Sequence, residues 1–215
     1  MSALYYCRQT TTACKGIPYP SKTHPYRYGT SGCVYTSGCG MCVSLMALRN
    51  STTRVFNTRQ WTHRCLGMGA RAAEGTDMAV VARYMKEKYG LDYAVTTDMD
   101  RLLAHLKQGY KAIINVSGGG KMLFSNSGHY VLAAGIDKNG NLIILDPYWY
   151  DGKFTLTAAR RKYTRVKNGR EVYVRPADLK GDVLSMWLFT PKRDVRLAYS
   201  VNDMHYRKSA PTAPT

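Results

Sequence analysis

Cysteine, histidine and aspartate side chains that together support nucleophilic catalysis occur in this chain at Cys39, His129 and Asp146. A cysteine nucleophile requires a thiolate, a base that holds its proton, and hydrogen-bond donors for the oxyanion that forms on the attacked carbonyl. A carboxylate orients the histidine ring and stabilises its charged form. These residue types therefore point to attack on a carbonyl carbon, provided that the fold brings the three side chains together.

Cys39 lies directly before a run of apolar residues that recur at helical spacing over 40–49. We therefore expect Cys39 at the N-terminus of a helix. The dipole and the unpaired N–H groups at that end lower the pKa of a thiol. Gly38 and Gly40 flank the cysteine, and we interpret them as leaving the backbone uncovered for an approaching substrate.

His129 and Asp146 lie near the open end of a predicted β-hairpin. Strand-like segments cover 129–136 and 141–146, and the Asn-Gly pair between them is a strong turn signal. Counting back from the turn places the two side chains within reach of each other, with a two-residue uncertainty in register. Asp146 would then fix the tautomer of the imidazole.

Each of these residues also has a structural interpretation. Cys39 is compatible with a half-buried structural thiol, and His129 with a strand-end histidine whose hydrogen bonds are local. Cys39 and Cys42 have the CxxC spacing of some zinc and redox sites, but no second pair of cysteines has that spacing. His63 is the substitute base if His129 does not serve. We expect neither a metal nor a cofactor.

Helical patterns come first in the chain and strand patterns second. Residues 1–38 are rich in Tyr, Thr, Ser, Gly and Pro, and we interpret them as loop. Helices are predicted over 40–49, 78–89 and 98–108, and strands over 111–116, 129–136, 141–146, 166–174 (a second hairpin) and 183–189. The order predicts an α+β fold with a helical half packed on an antiparallel sheet half.

One domain is expected over 1–206, because no linker divides the chain. Within it, 151–206 is expected to extend the sheet as a β-rich C-terminal part. Residues 207–215 are small, polar and Pro-rich, and we expect a disordered tail there.

The charge of the chain is strongly positive: 31 Lys and Arg stand against 14 Asp and Glu, a formal net charge of +17. Such an excess predicts attraction to an anionic polymer surface, although it also serves solubility. The basic residues are spread along the chain, which favours non-specific holding over a sequence-reading groove. No run of about 18 apolar residues occurs, so we expect no membrane insertion. The chain starts without a secretory signal, so we expect synthesis in the cytoplasm and action on a cell wall only after release.

The segment 37–47 around Cys39 resembles the nucleophile motif of bacteriocin-processing peptidases, which cleave double-glycine leaders, and of their stand-alone relatives. The segment 127–141 resembles their histidine strand and hairpin, and Leu145-Asp146-Pro147 resembles their third motif. The resemblance covers about residues 26–150 and keeps the order Cys, His, Asp. It implies a papain-like fold and cysteine peptidase activity, and the stand-alone relatives include wall-lytic amidases of clostridia and their phages.

The oxyanion site departs from the family pattern. The exporter-linked peptidases carry a glutamine shortly before the cysteine, and Cys33 stands at that place here. We therefore expect the backbone N–H of Cys39 to act with a second donor, for which Ser37, Ser31 and Tyr28 are the candidates.

The sequence thus predicts a cysteine hydrolase that cleaves an amide or peptide bond through a thioester on Cys39. With the positive charge, peptidoglycan is the expected substrate, cleaved by amidase or endopeptidase action as in a phage endolysin. One alternative is a cysteine protease that acts on a protein or peptide. The other is a non-enzymatic basic module that binds nucleic acid, which would leave the Cys, His and Asp set unexplained.

Overall fold

Helices dominate the first half of the chain, as the sequence predicts. The computed structural model describes residues 4–21 and 32–192. The α-helices are α1 (Thr12–Lys15), α2 (Val34–Ser37), α3 (Cys39–Ser51), α4 (Thr58–Gly67), α5 (Met78–Tyr89), α6 (Met99–Lys107), α7 (Ala158–Tyr163) and α8 (Pro176–Leu179). Two short 3₁₀ helices cover Lys153–Thr155 and Lys180–Asp182.

One antiparallel sheet of seven strands contains all the named strands of the described chain. They are β1 (Leu91–Thr96), β2 (Lys111–Val116), β3 (His129–Ile136), β4 (Leu142–Leu145), β5 (Thr164–Lys167), β6 (Glu171–Val174) and β7 (Val183–Pro191). Their spatial order is β1-β7-β2-β3-β4-β6-β5, and every neighbouring pair is antiparallel. The last strand therefore lies between the first two.

Both faces of the sheet are covered, because side chains alternate along each strand. Ile113 and Leu132 belong to a core shared with α3 and α5, whereas Ile114 and Val131 belong to a core shared with α6. The predicted α+β class is confirmed. The arrangement is less segregated than expected, since α6 lies on the face opposite α3.

Helix α3 is the central helix of the first core. All its residues from Gly40 to Leu48 are buried, and it packs against β2, β3 and β7. Burial on every side explains why its sequence is apolar almost all round. The helix therefore holds Cys39, its first residue, in a fixed place at the edge of the core.

Helix α5, predicted over 78–89, has a side-chain cap at its start and a glycine at its end. The carboxylate of Asp77 accepts hydrogen bonds from the N–H groups of Ala79 and Val80, which caps the first turn. Gly90 ends the helix with φ of 61°, a left-handed conformation that glycine adopts without strain.

Several expectations differ from the structure. The described part of 1–38 contains α1 and α2, not loop alone. Strand β1 was not predicted, because its sequence, LDYAVT, lacks a regular alternation and its burial is partial. The predicted tail at 207–215 lies outside the described residues. No helix in 4–21 and 32–192 is long and apolar enough to cross a membrane.

Candidate active site

Cys39 occupies the first turn of α3, where backbone N–H groups have no partner within the helix. Its N-cap is Gly38, which offers no side-chain hydrogen bond to those groups. The Cys39 sulfur accepts hydrogen bonds from the backbone N–H of Gly40, in the same turn, and from that of Tyr130 in β3. Cys39 as a whole residue is only partly buried.

The imidazole of His129 lies between Cys39 and Asp146. His129 Nε2 is 2.8 Å from Asp146 Oδ1, and the His129 side chain also hydrogen-bonds the Cys39 thiol. Because Nε2 is taken by the carboxylate, Nδ1 is the ring nitrogen left for sulfur. The three residues that the sequence singled out are thus joined in one chain of hydrogen bonds.

A register shift in the β3–β4 hairpin brings His129 and Asp146 together. Near the turn, Gly135 pairs with Ile143; after the shift, Ala133 pairs with Ile144, so Ala134 has no partner of its own in β4. Continued past the end of β4, the shifted register sets Asp146 across from Val131, whose side chain shares a face of β3 with that of His129. Without the shift, Asp146 would face the other side of the hairpin.

The carboxylate of Asp146 is completely buried and fully bonded. Its Oδ1 accepts hydrogen bonds from His129 and from the backbone N–H of Tyr148, at 2.9 Å. Its Oδ2 lies 2.5 Å from Nζ of Lys153, a buried lysine. Sequence reasoning missed Lys153, because a lysine in a loop seven residues after Asp146 matches no motif.

The charges of the site favour a thiolate and an imidazolium. Burial alone would raise the pKa of the Cys39 thiol, but the hydrogen bond and charge of His129 and the two backbone N–H groups lower it below 9.0. Burial acts against the charged form of His129, yet the Asp146 carboxylate raises the pKa of its imidazole to about 9. Burial likewise opposes ionisation of Asp146, but Lys153 and His129 lower the pKa of its carboxyl to about 2.

Gly38 and Gly40 have a different role from the one we expected. A Cβ on Gly38 would lie 2.5 Å from the Val34 carbonyl oxygen, and one on Gly40 would lie 2.7 Å from Thr76 Cβ. Gly40 is also buried. The absence of these Cβ atoms therefore allows α2, and Thr76 just before α5, to pack tightly against the start of α3. It does not uncover the backbone for substrate.

Among the oxyanion candidates only Ser37 lies in the described chain. Ser37 is buried at the end of α2, two residues before Cys39, and its hydroxyl is 3.3 Å from that of Thr36. Ser31 and Tyr28 lie outside the described residues.

The other cysteines are not arranged as a metal site. All six are free, and the described residues contain no cluster of three or more His, Cys, Asp or Glu side chains that could hold a metal ion. Cys42 is buried in the core, where its thiol hydrogen-bonds that of Cys7. The CxxC pair therefore has one member at the site and one member among core side chains.

The substitute base, His63, is exposed on α4 and lies in an open surface groove with Phe56 and Arg59. His105 is half-buried, and its Nε2 faces the carbonyl oxygens of Lys111 and Phe189. His24 and His205 lie outside the described residues. His129, by contrast, hydrogen-bonds the Cys39 thiol.

Two exposed tyrosines extend outward from the imidazole. Tyr148 is 39% exposed, and its ring lies edge-on to His129 with 6.3 Å between centroids. Tyr150 is 36% exposed and lies edge-on to Tyr148 at 6.1 Å. Exposed aromatic rings beside a reactive group offer amphipathic contact area for a bound molecule.

Comparison with known protein families gives the wider context of this geometry. The sequence model of the Peptidase_C39 like family matches residues 14–171, a span that contains Cys39, His129 and Asp146. The chain belongs to this family. It is a papain-like cysteine peptidase, and hence a hydrolase. No curated protein matches the C39-like peptidase in sequence.

Two solved structures are similar to the peptidase at low identity. One is the peptidase domain of Streptococcus ComA, a bi-functional ABC transporter involved in a quorum sensing pathway, with 14% identity, a TM-score of 0.48, and coverage of 72% of this chain and 91% of that one. The other is UfSP from C. elegans, with 17% identity, a TM-score of 0.41, and coverage of 73% of this chain and 30% of that one.

Proposed function

We propose that Cys39, His129 and Asp146 are the catalytic residues of this peptidase and that its substrate is the peptide part of peptidoglycan. The observation that carries the catalytic assignment is the imidazole of His129, which hydrogen-bonds both the Cys39 thiol and the Asp146 carboxylate. This is the nucleophile, base and orienting group that cysteine catalysis requires.

The reaction begins with Cys39 as thiolate and His129 as imidazolium. The thiolate attacks the carbonyl carbon of the amide, and its C–S bond forms as the C=O electron pair moves to oxygen. His129 gives its proton to the leaving amine, the C–N bond breaks, and a thioester remains. Neutral His129 then takes a proton from water, the hydroxide displaces the thiolate, and the carboxylic acid product leaves.

Donors for the oxyanion come from the start of α3 in this proposal. The Cys39 backbone N–H lies at the N-terminus of the helix, where unpaired N–H groups and the dipole favour negative charge. The hydroxyl of Ser37, two residues earlier, is the second donor, and Ser31 and Tyr28 remain the other candidates. A Ser37→Ala variant is expected to lower kcat more than it raises KM.

Charge supports an anionic wall as the place of action. The chain has a net charge of +17. An open groove of about 560 Å³ lies between the end of α7 and the β5–β6 hairpin, and exposed Lys162, Arg165 and Lys167 are among its lining residues. The groove also contains Asp178, which pairs with Arg175, and Asp137, whose carboxylate accepts hydrogen bonds from Asn139 and Asn141.

The groove keeps an excess of positive charge, because its lining contains four cations, Lys162, Arg165, Lys167 and Arg175, against the carboxylates of Asp137 and Asp178. The Lys167 ammonium lies 4.3 Å from the centroid of the Tyr173 ring, and that of Lys162 lies 5.2 Å from Tyr163. Tyrosine rings beside cations hold the cations without neutralising them. A surface of this kind attracts phosphate-bearing wall polymers without reading a sequence.

The experiment that tests the substrate is digestion of purified Gram-positive cell walls. Wild-type protein is compared with Cys39→Ala and with Cys33→Ser, a control that changes another incompletely buried cysteine. We expect loss of turbidity and release of new amines with wild type and Cys33→Ser, and neither with Cys39→Ala. Mass spectra of the fragments then distinguish amidase from endopeptidase cleavage.

In one outcome, the walls stay intact while Cys39 of the same enzyme is still selectively alkylated near neutral pH. This result would contradict the peptidoglycan proposal. The substrate would then be sought among proteins and peptides, with the same catalytic residues. Walls cleared equally by wild type and Cys39→Ala would contradict the catalytic assignment itself.

A further inference from the structure

A buried lysine lies behind the proposed catalytic carboxylate. Lys153 begins the 3₁₀ helix Lys153–Thr155, and its side chain is only 2% exposed. Its ammonium is 2.5 Å from Asp146 Oδ2 and 2.9 Å from the carbonyl oxygen of Tyr148. Lys153 thus bonds the oxygen of Asp146 that His129 does not use.

Other groups hold Lys153 in this position. The guanidinium of Arg160, itself buried, donates from Nη1 to the Lys153 carbonyl oxygen at 3.2 Å and from Nε to that of Met122 at 3.3 Å. The rings of Tyr148, Tyr150 and Phe154 lie 5.4, 6.0 and 5.6 Å from the ammonium. The lysine is therefore enclosed by aromatic rings and a second fixed cation.

A purely structural role would not need this charge. Burying a lysine carries a large desolvation penalty, which a neutral hydrogen-bond donor to Oδ2 would avoid. Burial and the neighbouring Arg160 disfavour the charged form of Lys153 and lower its pKa, whereas Asp146 and Cys39 favour that form. The charge is thus kept where two negative groups are near it.

Lys153 completes a row of alternating charges. The thiolate of Cys39, the imidazolium of His129, the carboxylate of Asp146 and the ammonium of Lys153 sum to zero. Without the lysine, the other three groups would carry one net negative charge in a buried place, which disfavours the thiolate.

We propose that Lys153 is a positioning residue: its ammonium fixes the Asp146 carboxylate so that Oδ1 faces His129, and it balances the charge of the Cys39 thiolate. The proposal rests on the catalytic assignment of Cys39, His129 and Asp146 made above. Lys153 contacts neither the attacked carbonyl nor the sulfur in this scheme, and acts through Asp146.

The expected effect of neutralising Lys153 has a definite sign. Removing a nearby positive charge makes protonation of every neighbouring group more favourable, so the pKa values of Cys39 and His129 both rise. In the pH profile of hydrolysis, the acid limb set by Cys39 and the alkaline limb set by His129 should therefore both move to higher pH, and alkylation of Cys39 should follow the acid limb. Loss of packing alone would lower stability or total activity without moving the limbs.

The test is the rate at which iodoacetamide alkylates Cys39 as a function of pH, with the modified cysteine identified by peptide mass spectrometry. This probe needs no substrate. We compare wild type, Lys153→Met, Lys153→Arg and Lys88→Met, the last being a control on exposed Lys88 of α5. At pH 6 we expect alkylation of Lys153→Met to be about three- to tenfold slower than that of wild type, the fold-change that corresponds to a rise of about half to one unit in thiol pKa.

Lys153→Arg keeps the charge and should show the wild-type pH dependence of alkylation. Lys88→Met should leave that pH dependence unchanged. If Lys153→Met does not fold, as judged by circular dichroism, Lys153→Gln replaces it, because its amide can still donate to Oδ2 while the charge is absent. If a folded variant with a neutral residue at position 153 keeps the wild-type pH dependence of Cys39 alkylation, the proposed role of Lys153 is overturned. A wild-type Cys39 that reacts no faster than Cys33 at neutral pH instead overturns the catalytic assignment.

Discussion

The hydroxyl of Tyr6 donates a 2.6 Å hydrogen bond to the backbone carbonyl of Asp146. Burial and the Asp146 charge raise the pKa of Tyr6, so the phenol stays protonated and remains a donor. Nearby, Gln9 N–H donates to the Pro147 carbonyl at 2.8 Å, and Arg8 Nε to that of Trp149 at 3.1 Å. The first described residues thus hold the turn that carries the proposed orienting carboxylate.

Replacing Tyr6 by Phe should loosen this turn. We expect a loss of about 0.5–1.5 kcal/mol in unfolding free energy, the net contribution of one hydrogen bond, and a lower kcat because Asp146 is held less firmly. Urea denaturation and peptidase assays measure the two effects. Tyr93→Phe is the control, since the Tyr93 hydroxyl has no hydrogen-bond partner among the described residues; equal effects from both variants would contradict the role of Tyr6.

The pH dependence of hydrolysis should follow Cys39 and His129. Activity requires thiolate and imidazolium together, so it should rise with increasing pH as the thiol loses its proton. This rise should lie below pH 9.0, because the pKa of the Cys39 thiol is lowered from that value. It should fall as pH passes about 9, where His129 loses the proton that the leaving amine needs. Asp146 has a pKa of about 2 and contributes no limb near neutral pH.

Replacing Asp146 by Asn tests the cause of the alkaline limb. The carboxylate is what raises the pKa of His129, so this limb should move to lower pH in Asp146→Asn. Asp100→Asn, a change to an exposed carboxylate in the first turn of α6, should leave it in place. An unchanged limb in Asp146→Asn would mean that a group other than His129 sets it.

Gly40→Ala should destabilise the protein. The new methyl group would lie 2.7 Å from Thr76 Cβ and 3.2 Å from the Tyr130 ring, which forces atoms in a packed region to move. We expect a loss of about 1–3 kcal/mol in unfolding free energy, as for other overpacked cores. Gly67→Ala at the end of α4 meets nothing within 4 Å and should be neutral or stabilising, by about 1 kcal/mol at most. Thermal and urea unfolding of the two variants compare them directly.

The groove cations should hold the peptidase on an anionic wall without taking part in chemistry. Changing Lys162, Arg165 and Lys167 together to Glu should weaken sedimentation with purified walls and reduce its salt dependence, because three positive charges are reversed. The rate of Cys39 alkylation should not change.

The control for the groove carries the same total charge change elsewhere. Arg83, Lys88 and Lys107 are exposed on α5 and α6, and their triple replacement by Glu matches that change. If this control weakens wall binding as strongly as the groove variant does, net charge and not the groove is responsible.

Much of the site followed from local sequence pattern. Cys39 was recognised from its place before a predicted helix, and His129 and Asp146 from their places on the two strands that flank the Asn-Gly turn. The fold joins these three side chains. The register shift at Ala134 was not visible, because a run of small residues fits either register equally well. Lys153 was missed for another reason. The path of the loop after Asp146 brings the Lys153 ammonium to the Asp146 carboxylate, and a loop path leaves no periodic pattern in the sequence.

The glycines beside Cys39 show how a correct residue can be given the wrong reason. Glycine next to a nucleophile suggests room for substrate, yet here the missing Cβ atoms make room for Val34 and Thr76. The two explanations produce the same sequence. They differ only in tertiary contacts, which local pattern does not contain.

The place of β7 in the sheet has a consequence for protein synthesis. Residues 183–191 are translated last among the described strands, yet they pair with both β1 and β2. A growing chain therefore cannot close its sheet until this segment has left the ribosome, and pairing over such a sequence separation is slow. The core that α3 shares with β2 and β7 should thus be completed only after β7 has been synthesised.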